Sequence, residues 1–276
     1  MFNDAVDESR VRKLEMSSAS LFAKALWKAG KGALMAKYDI CDAYKQIAGH
    51  PAQWAAFGFQ WLGKYFYDIT TVFGSKSAPA NFDAVPETIV NIVCTLTEVP
   101  RSIVHRQLDD VPLVSPVSNN FAKTFADKYV EVCEMMGLPL AAECPEREKS
   151  FGIGTTGTVL GIEFDSMEMM WKLPKSKVAG IIGIIEAFLG ARTCCLKEVQ
   201  KLHGKLSDFA QMCEFMKGYR YQLSKLLGSF ENCESSRRLI PQFLVDDLHI
   251  WKKCELAARK GIFWPSRSST SGRSST

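Results

Sequence analysis

Apolar and polar positions switch between two periods along this chain, and each switch marks an element. In residues 17–29, Leu21, Phe22, Ala25 and Leu26 recur at helical spacing. This predicts a helix capped by Ser17 or Ser18 and stopped by Gly30 and Gly32. Residues 33–40 form a short apolar run containing Asp39 near its end, a buried strand by pattern, and Asp42-Ala43-Tyr44 leaves it as a tight turn. Residues 54–59 and 64–71 read as two further strands joined around Leu62-Gly63. Gly74 breaks the chain, and residues 77–97 read as a long helix, interrupted or capped near Pro79 and Pro86.

The next stretch carries the first chemistry. Residues 103–108 and 111–114 are short aliphatic runs on either side of Asp109-Asp110, which predicts a β-hairpin with two carboxylates at its tip. Pro112 cannot donate a ladder bond, so its strand belongs at an edge or a bulge. Adjacent carboxylates repel, and each raises the other's pKa unless a cation lies between them. An Asp-Asp pair alone suits a solvated turn. A metal site needs a third acid, and Asp39 is the candidate.

Beyond the hairpin, residues 119–136 read as an amphipathic helix with Phe121, Phe125, Val132, Met135 and Met136 near one face and Gly137 at its end. Residues 158–164 and 169–173 predict a second hairpin around Ser166-Met167. Helical patterns follow at 176–189, 196–212, 216–227 and 241–258. Residues 266–276 contain only Ser, Thr, Gly and Arg, which cannot form a core and predict disorder. A strand-rich half followed by an all-helical unit predicts an α+β fold.

Composition narrows the classes. With 276 residues and 47 % apolar content, the chain can bury a real core and divide into two or three small subdomains. The nine cysteines show no paired metal-binding spacing, so they read as free thiols of a reducing compartment. Residues 1–10 hold no apolar run resembling a signal peptide. The longest apolar stretch, 178–191, is too short to span a bilayer and contains Glu186. An intracellular protein, in cytoplasm or nucleus and without a membrane partner, is expected. Charge is uneven: residues 1–170 carry 16 basic and 21 acidic side chains, and residues 171–276 carry 18 and 9. The acidic part suits cations and the basic part suits a phosphate backbone. In the basic part, Lys197, Lys201 and Lys205 recur at i, i+4 and i+8, on one helix face.

Four stretches together resemble a family. Asp39 to Tyr44 resembles motif A of reverse transcriptases, an Asp followed after two residues by Asp-Ala-Tyr or Asp-Ala-Phe. Phe73-Gly74-Ser75-Lys76-Ser77-Ala78-Pro79-Ala80-Asn81-Phe82 resembles motif B, and Leu108-Asp109-Asp110 resembles motif C. Leu160-Gly161-Ile162-Glu163-Phe164-Asp165-Ser166 resembles motif E, with Leu173-Pro174 and Lys177 behind it. Their order and spacing are similar to those of retrotransposon enzymes of the DIRS type, over about residues 3–264.

The resemblance implies an RNA-directed DNA polymerase core. Its fold would be a polymerase palm, a ferredoxin-like antiparallel sheet with helices, over residues 33–174. Partial fingers would occupy 1–32, and a helical thumb with the start of a connection 175–265. It also implies two Mg²⁺ ions, or Mn²⁺ in their place, held by Asp39, Asp109 and Asp110. Two such ions stabilise the attacking and leaving oxygens of nucleotidyl transfer. Asp39 and Asp109 are the stronger ligands by resemblance, and Asp110 lies closer to primer support. Ile40, Asp42, Ala43, Tyr44, Phe73 and Gly74 would line the deoxynucleoside triphosphate site, with the Tyr44 ring colliding with a 2′-hydroxyl. Lys149 is the candidate general acid toward pyrophosphate. Lys76, Gln107, Leu160, Gly161, Lys197, Lys201 and Lys205 would meet an RNA or DNA template with its primer.

Two positions depart from the family pattern: Phe73 stands where retroviral enzymes carry Gln, and Gln107 where Tyr packs on the primer end. Basic fingers residues that meet the triphosphate lie, in the family, just upstream of a pair like Asn3-Asp4, so this chain is expected to begin partway through the fingers. The alternatives are a weak or inactive remnant that binds nucleic acid or a partner, and an unrelated metal-dependent phosphohydrolase, which leaves motifs B and E unexplained.

Overall fold

The computed structural model describes residues 2–141, 150–212, 214–230, 236–255 and 261–263. They form an α+β fold in two compact units, 1–159 and 160–276.

In the first unit, helix α1 (Ala19–Ala29) starts where the Oγ of Ser18 accepts from the N–H of Leu21, and it ends at Gly30, whose φ is +92°. A cap of this kind stabilises a helix by about 1 kcal/mol. The face it buries is Ala19, Phe22, Ala23 and Leu26, while Leu21 is exposed, so the expected stripe is rotated. Strand β1 (Leu34–Asp39) follows. The predicted strand at 54–59 is instead a 3₁₀ helix, Pro51–Phe57. Pro51 presets its first turn, and the His50 ring nitrogen accepts from the N–H of Ala52. The hairpin β2 (Gly58–Trp61) and β3 (Lys64–Tyr67) comes after it, turning at Leu62-Gly63.

Helix α2 (Ala78–Thr97) takes Pro79 in its first turn and runs uninterrupted through buried Pro86. Packing holds the helix across the missing N–H. Strand β4 (Asp110–Ser115) and helix α3 (Phe121–Met135) complete the core with β5 (Phe151–Gly154), and β6 (Thr156–Val159) ends the unit. On α3 the buried face is Ala122, Phe125, Ala126, Tyr129, Val132 and Cys133. Met135, 78 % exposed, and Met136 lie outside it, because the helix ends there and Gly137 turns away at φ +66°.

The sheet runs β4-β1-β5, all antiparallel. Its register decides what each face carries. Ala36 pairs with Leu113 and Tyr38 with Val111, and these residues pack with Phe82, Ile89, Phe125 and Tyr129 of α2 and α3. Burying such a side chain contributes about 1.5–3 kcal/mol. The alternate pairs Met35–Val114, Lys37–Pro112 and Asp39–Asp110 therefore point to the opposite face. Pro112 lies on an edge strand, as expected. Its carbonyl accepts from the N–H of His105, so the missing donor is on the side away from β1.

The second unit is not all-helical. Strands β7 (Ile162–Asp165) and β8 (Met170–Lys172) form an antiparallel hairpin, closed by the Oδ1 of Asp165 accepting from the N–H groups of Met167 and Glu168. Helix α4 (Lys175–Gly190), strand β9 (Thr193–Cys195) and helix α5 (Leu196–Ala210) follow. A 3₁₀ helix, Glu214–Arg220, replaces the first half of the helix expected at 216–227, and α6 (Tyr221–Gly228) supplies the rest. Strand β10 (Arg237–Leu239) pairs with β9, α7 (Gln242–Lys253) packs against α4, and β11 (Ile262–Phe263) adds to β8. Leu202, Leu206, Phe209, Leu223, Leu244, Leu248 and Trp251 are buried, with the rings of Phe209 and Trp251 edge to face at 5.3 Å. Residues 266–276 lie outside the described residues.

Candidate active site

The site begins with a turn. Gln107 and Asp110 exchange both backbone hydrogen bonds, at 2.9 and 3.0 Å, so Leu108-Asp109 is a two-residue hairpin turn. The turn is one residue earlier than the sequence suggests: Asp109 is in it, and Asp110 is the first residue of β4. Residues 103–108 are not a regular strand. Arg101–Ile103 is a 3₁₀ turn, and Val104 and Gln107 make only isolated bridges to β4. Leu108 sits at φ +53°, the left-handed region that side chains other than glycine and asparagine seldom adopt. Such residues persist where the surrounding structure over-determines them.

Strand pairing brings the third acid in. Asp39 is directly opposite Asp110 across β1 and β4, and the N–H of Ile40 donates to the carbonyl of Asp109 at 3.1 Å. The Asp39 backbone is clamped as well. Its N–H donates to the Oγ of Ser150 at 3.0 Å, and its carbonyl accepts from the N–H of Ala141 at 2.7 Å. Asp39 is buried, and Asp109 and Asp110 are half-buried.

A cation shares this face. Lys37, buried on β1 two residues before Asp39, places its Nζ 3.3 Å from the Oδ1 of Asp110. The contact is an ion pair. Burial pushes the Asp110 carboxyl up from its ordinary value, Lys37 opposes that, and the charges of Asp109 and Asp39 push it further up.

Tyr44 borders the acids. Asp42 at φ +48° turns the chain out of β1 into the short 3₁₀ helix Ala43–Gln46. The Tyr44 ring packs edge to face on Phe73 at 5.0 Å and on Phe82 at 5.9 Å. Burial, then the charge of Asp109, raises its hydroxyl pKa. Phe73 is 75 % exposed beside Gly74, whose φ of +89° only glycine adopts readily. The Gly74 carbonyl accepts from the Asn3 side chain at 2.7 Å. Lys76 pairs with Glu8 at 2.6 Å.

In the second unit, Leu160 and Gly161 both have positive φ, and the Nζ of Lys177 donates to the Gly161 carbonyl at 3.4 Å. Lys197 and Lys201 are exposed and Lys205 is half-buried on α5, away from the Val199, Leu202, Leu206 and Phe209 side. Lys149 lies outside the described residues.

Sequence reasoning missed Lys37 and Ser150. The signal for Lys37 was present in strand parity, since a lysine two residues before a buried Asp shares its face.

No group of three or more His, Cys, Asp and Glu side chains is arranged to hold a metal ion among the described residues. Mg²⁺ is commonly bound through one or two carboxylates, with substrate phosphates completing its shell. Asp39 at the strand end and Asp109 in the adjoining turn supply two such carboxylates, and Asp110 is paired with Lys37. The six cysteines among the described residues are free. No helix among the described residues is long and apolar enough to cross a membrane.

No protein-family model matches the chain, and no curated protein matches it. Solved structures do. Foamy viral protease-reverse transcriptase dRH in complex with double-stranded DNA matches with a TM-score of 0.62 at 14 % identity, over 94 % of this chain and 40 % of that one. The foamy viral enzyme with an RNA/DNA hybrid matches with a TM-score of 0.59 at 16 % identity, over 88 % and 30 %. Its complex with double-stranded DNA gives 0.57 at 15 %, over 94 % and 48 %. The chain thus spans less than half the length of each, and at such identities the likeness is one of fold. The fold of this chain is reverse transcriptase-like.

Proposed function

We propose that this chain is the polymerase core of a reverse transcriptase, from a retrotransposon of the DIRS type, performing RNA-templated nucleotidyl transfer. The observation that carries the reading is the register that sets Asp39 opposite Asp110 with Asp109 in the adjoining turn. The order of the four motifs and the likeness of fold support it. In this reading residues 33–174 are the palm, 1–32 belong to the fingers and 175–265 to the thumb. The protein acts inside the cell, in cytoplasm or nucleus, on RNA or DNA template-primer with deoxynucleoside triphosphates.

Asp39 and Asp109 would hold Mg²⁺, or Mn²⁺ in its place, and Asp110 supports them. The metal supplies Lewis-acid stabilisation of the attacking and leaving oxygens. The protein's own residues do the positioning. Backbone hydrogen bonds hold Asp39 at the end of β1 and Asp109 in the adjoining turn. Tyr44, braced by Phe73 and Phe82, offers a flat wall to the sugar, beside Ile40, Asp42, Ala43 and Gly74. Lys149 is the proposed acid toward pyrophosphate. Gln107, Leu160, Gly161 and Lys76 border the template-primer, and Lys197, Lys201 and Lys205 track its phosphates without reading sequence.

Primer extension on an RNA template with Mg²⁺ tests this. The chain should extend the primer. Asp109→Asn should reduce extension by at least about 100-fold, more than the usual loss of a supporting partner, while melting stays unchanged. Unaltered extension by the folded variant excludes the assignment. A second reading, a remnant that binds nucleic acid without chemistry, is favoured by Gln107 at the primer position. Binding of template-primer with no extension at any Mg²⁺ concentration selects it.

A further inference from the structure

We propose that Lys37 is a positioning residue of the carboxylate site. Its ammonium engages Asp110, so that a divalent cation meets Asp39 and Asp109 first. The inference rests on the polymerase reading above and adds a residue to it.

Three observations lead here. Lys37, Asp39, Asp110 and Pro112 share one face of the β1–β4 pair by register. Lys37 is opposite Pro112, so its side chain reaches Asp110 along the diagonal, a span open to a long side chain. Lysine carries a compact, strongly hydrated charge, and burying it is costly unless an anion compensates. Here the compensation is Asp110 at 3.3 Å.

A purely structural pair looks different in this protein. Arg106 and Asp83 are 4 % and 0 % exposed and join through a guanidinium that also donates to the Asp83 carbonyl. The Asp110 side chain is 21 % exposed and stands among two other carboxylates. Charge balance gives Lys37 its role. Among the described residues, these three carboxylates and this ammonium leave two negative charges, which one divalent cation neutralises. Without Lys37 there are three, and Asp110 is released to compete for the ion. Binding then tightens while the ion is drawn off its productive position, and a displacement of about 1 Å costs on the order of 10²-fold in rate.

The test is Mn²⁺ titration followed by electron paramagnetic resonance, with primer extension alongside, on the unaltered chain, Lys37→Met, Asp109→Asn, Asp110→Asn and Lys37→Met/Asp110→Asn. Lys37→Met should bind Mn²⁺ at least about fivefold more tightly, because one nearby positive charge is gone, and should extend more slowly. A lysine that only braces the sheet would not move affinity and rate in opposite directions. The double variant also leaves two negative charges, so its Mn²⁺ affinity should return to within about twofold of the unaltered chain. Unchanged or weaker Mn²⁺ binding by Lys37→Met overturns the proposal. Should that variant not fold, Asp110→Asn decides together with the double variant: the double variant should bind Mn²⁺ at least about fivefold more tightly than Asp110→Asn alone, because the ammonium is gone, and equal affinities overturn the proposal. If Asp109→Asn leaves Mn²⁺ binding untouched, these acids are not the metal site, and the polymerase reading falls together with this one. If Asp109→Asn weakens binding and Lys37→Met does nothing, only the role of Lys37 falls.

Discussion

Two ion pairs inside the first unit are built from the same chemistry and placed at different depths. Arg106–Asp83 joins the approach to the acidic turn with helix α2, both side chains almost wholly buried, and Arg12 and Glu87 extend it outward. Lys37–Asp110 stands one strand away, with its carboxylate half open. The planar guanidinium fixes geometry through several donors, whereas the lysine ammonium is a single charge on a flexible stem. The deep pair holds elements together. The shallow one holds a carboxylate where a further cation changes its balance.

That contrast is easiest to break by mutation at the deep end. Arg106→Met strands Asp83 in the core and should cost about 3–5 kcal/mol in chemical denaturation, as for other buried pairs broken on one side. A loss under about 1 kcal/mol, the size of an exposed pair, would mean that depth does not separate the two pairs.

His105 sharpens the comparison through pH. Its ring packs edge to face on Phe22, Ser17 is within hydrogen-bond distance of Nδ1, and burial, aided by Arg101, lowers its pKa to about 4. A lowered histidine pKa contributes stability that is full above the unfolded value and lost as pH falls through the folded one. Stability should therefore drop by up to about 3 kcal/mol between about pH 6.5 and pH 4. His105→Gln should flatten that limb in denaturation curves taken across the range.

Asp110 should show the opposite slope and a smaller one. Its pKa is raised by burial, so its contribution is full below the ordinary carboxylate value of 3.8 and lost as pH rises through the raised one. In EDTA, Asp110→Asn should gain on the unaltered chain as pH rises from about 4, the gain appearing where the unaltered carboxyl loses its proton. A gain that grows toward low pH contradicts the assignment.

The smallest effect on the fold belongs to charges on the outer side of α5, two of them exposed and one half-buried. Replacing Lys197, Lys201 and Lys205 with Ala should alter stability by less than about 0.5 kcal/mol. Binding of duplex should weaken, and its dependence on log salt should fall by about three in slope. An unchanged slope removes these lysines from the proposed duplex contact.

How much of this was legible beforehand depends on the element. Ser18 followed by helical periodicity is a local signal, and the helix started where its cap allowed. Pro112 on an edge strand followed from its missing N–H. The 3₁₀ helix Pro51–Phe57 was misread because aromatic residues favour strands in isolation, whereas Pro51 and the His50 cap settled the backbone first. Leu21 and Met135 were placed on buried faces by type, yet helix length and neighbours rotated those faces outward. Strands β9 and β10 were invisible, since each is three residues long and has a partner more than forty residues away.

The sequence by itself determined which chemistry was on hand: three acids, a tyrosine five residues beyond the first, and a lysine repeat, each legible because side-chain type and local spacing are properties of the chain. Only the tertiary structure decided which of them meet. Asp39 faces Asp110 because two strands about seventy residues apart pair in one register, and a slip of one residue would turn Asp39 to the core face. The same register buries Lys37 beside Asp110, a contact that no local pattern encodes, because cross-strand neighbours are set by pairing rather than by sequence distance.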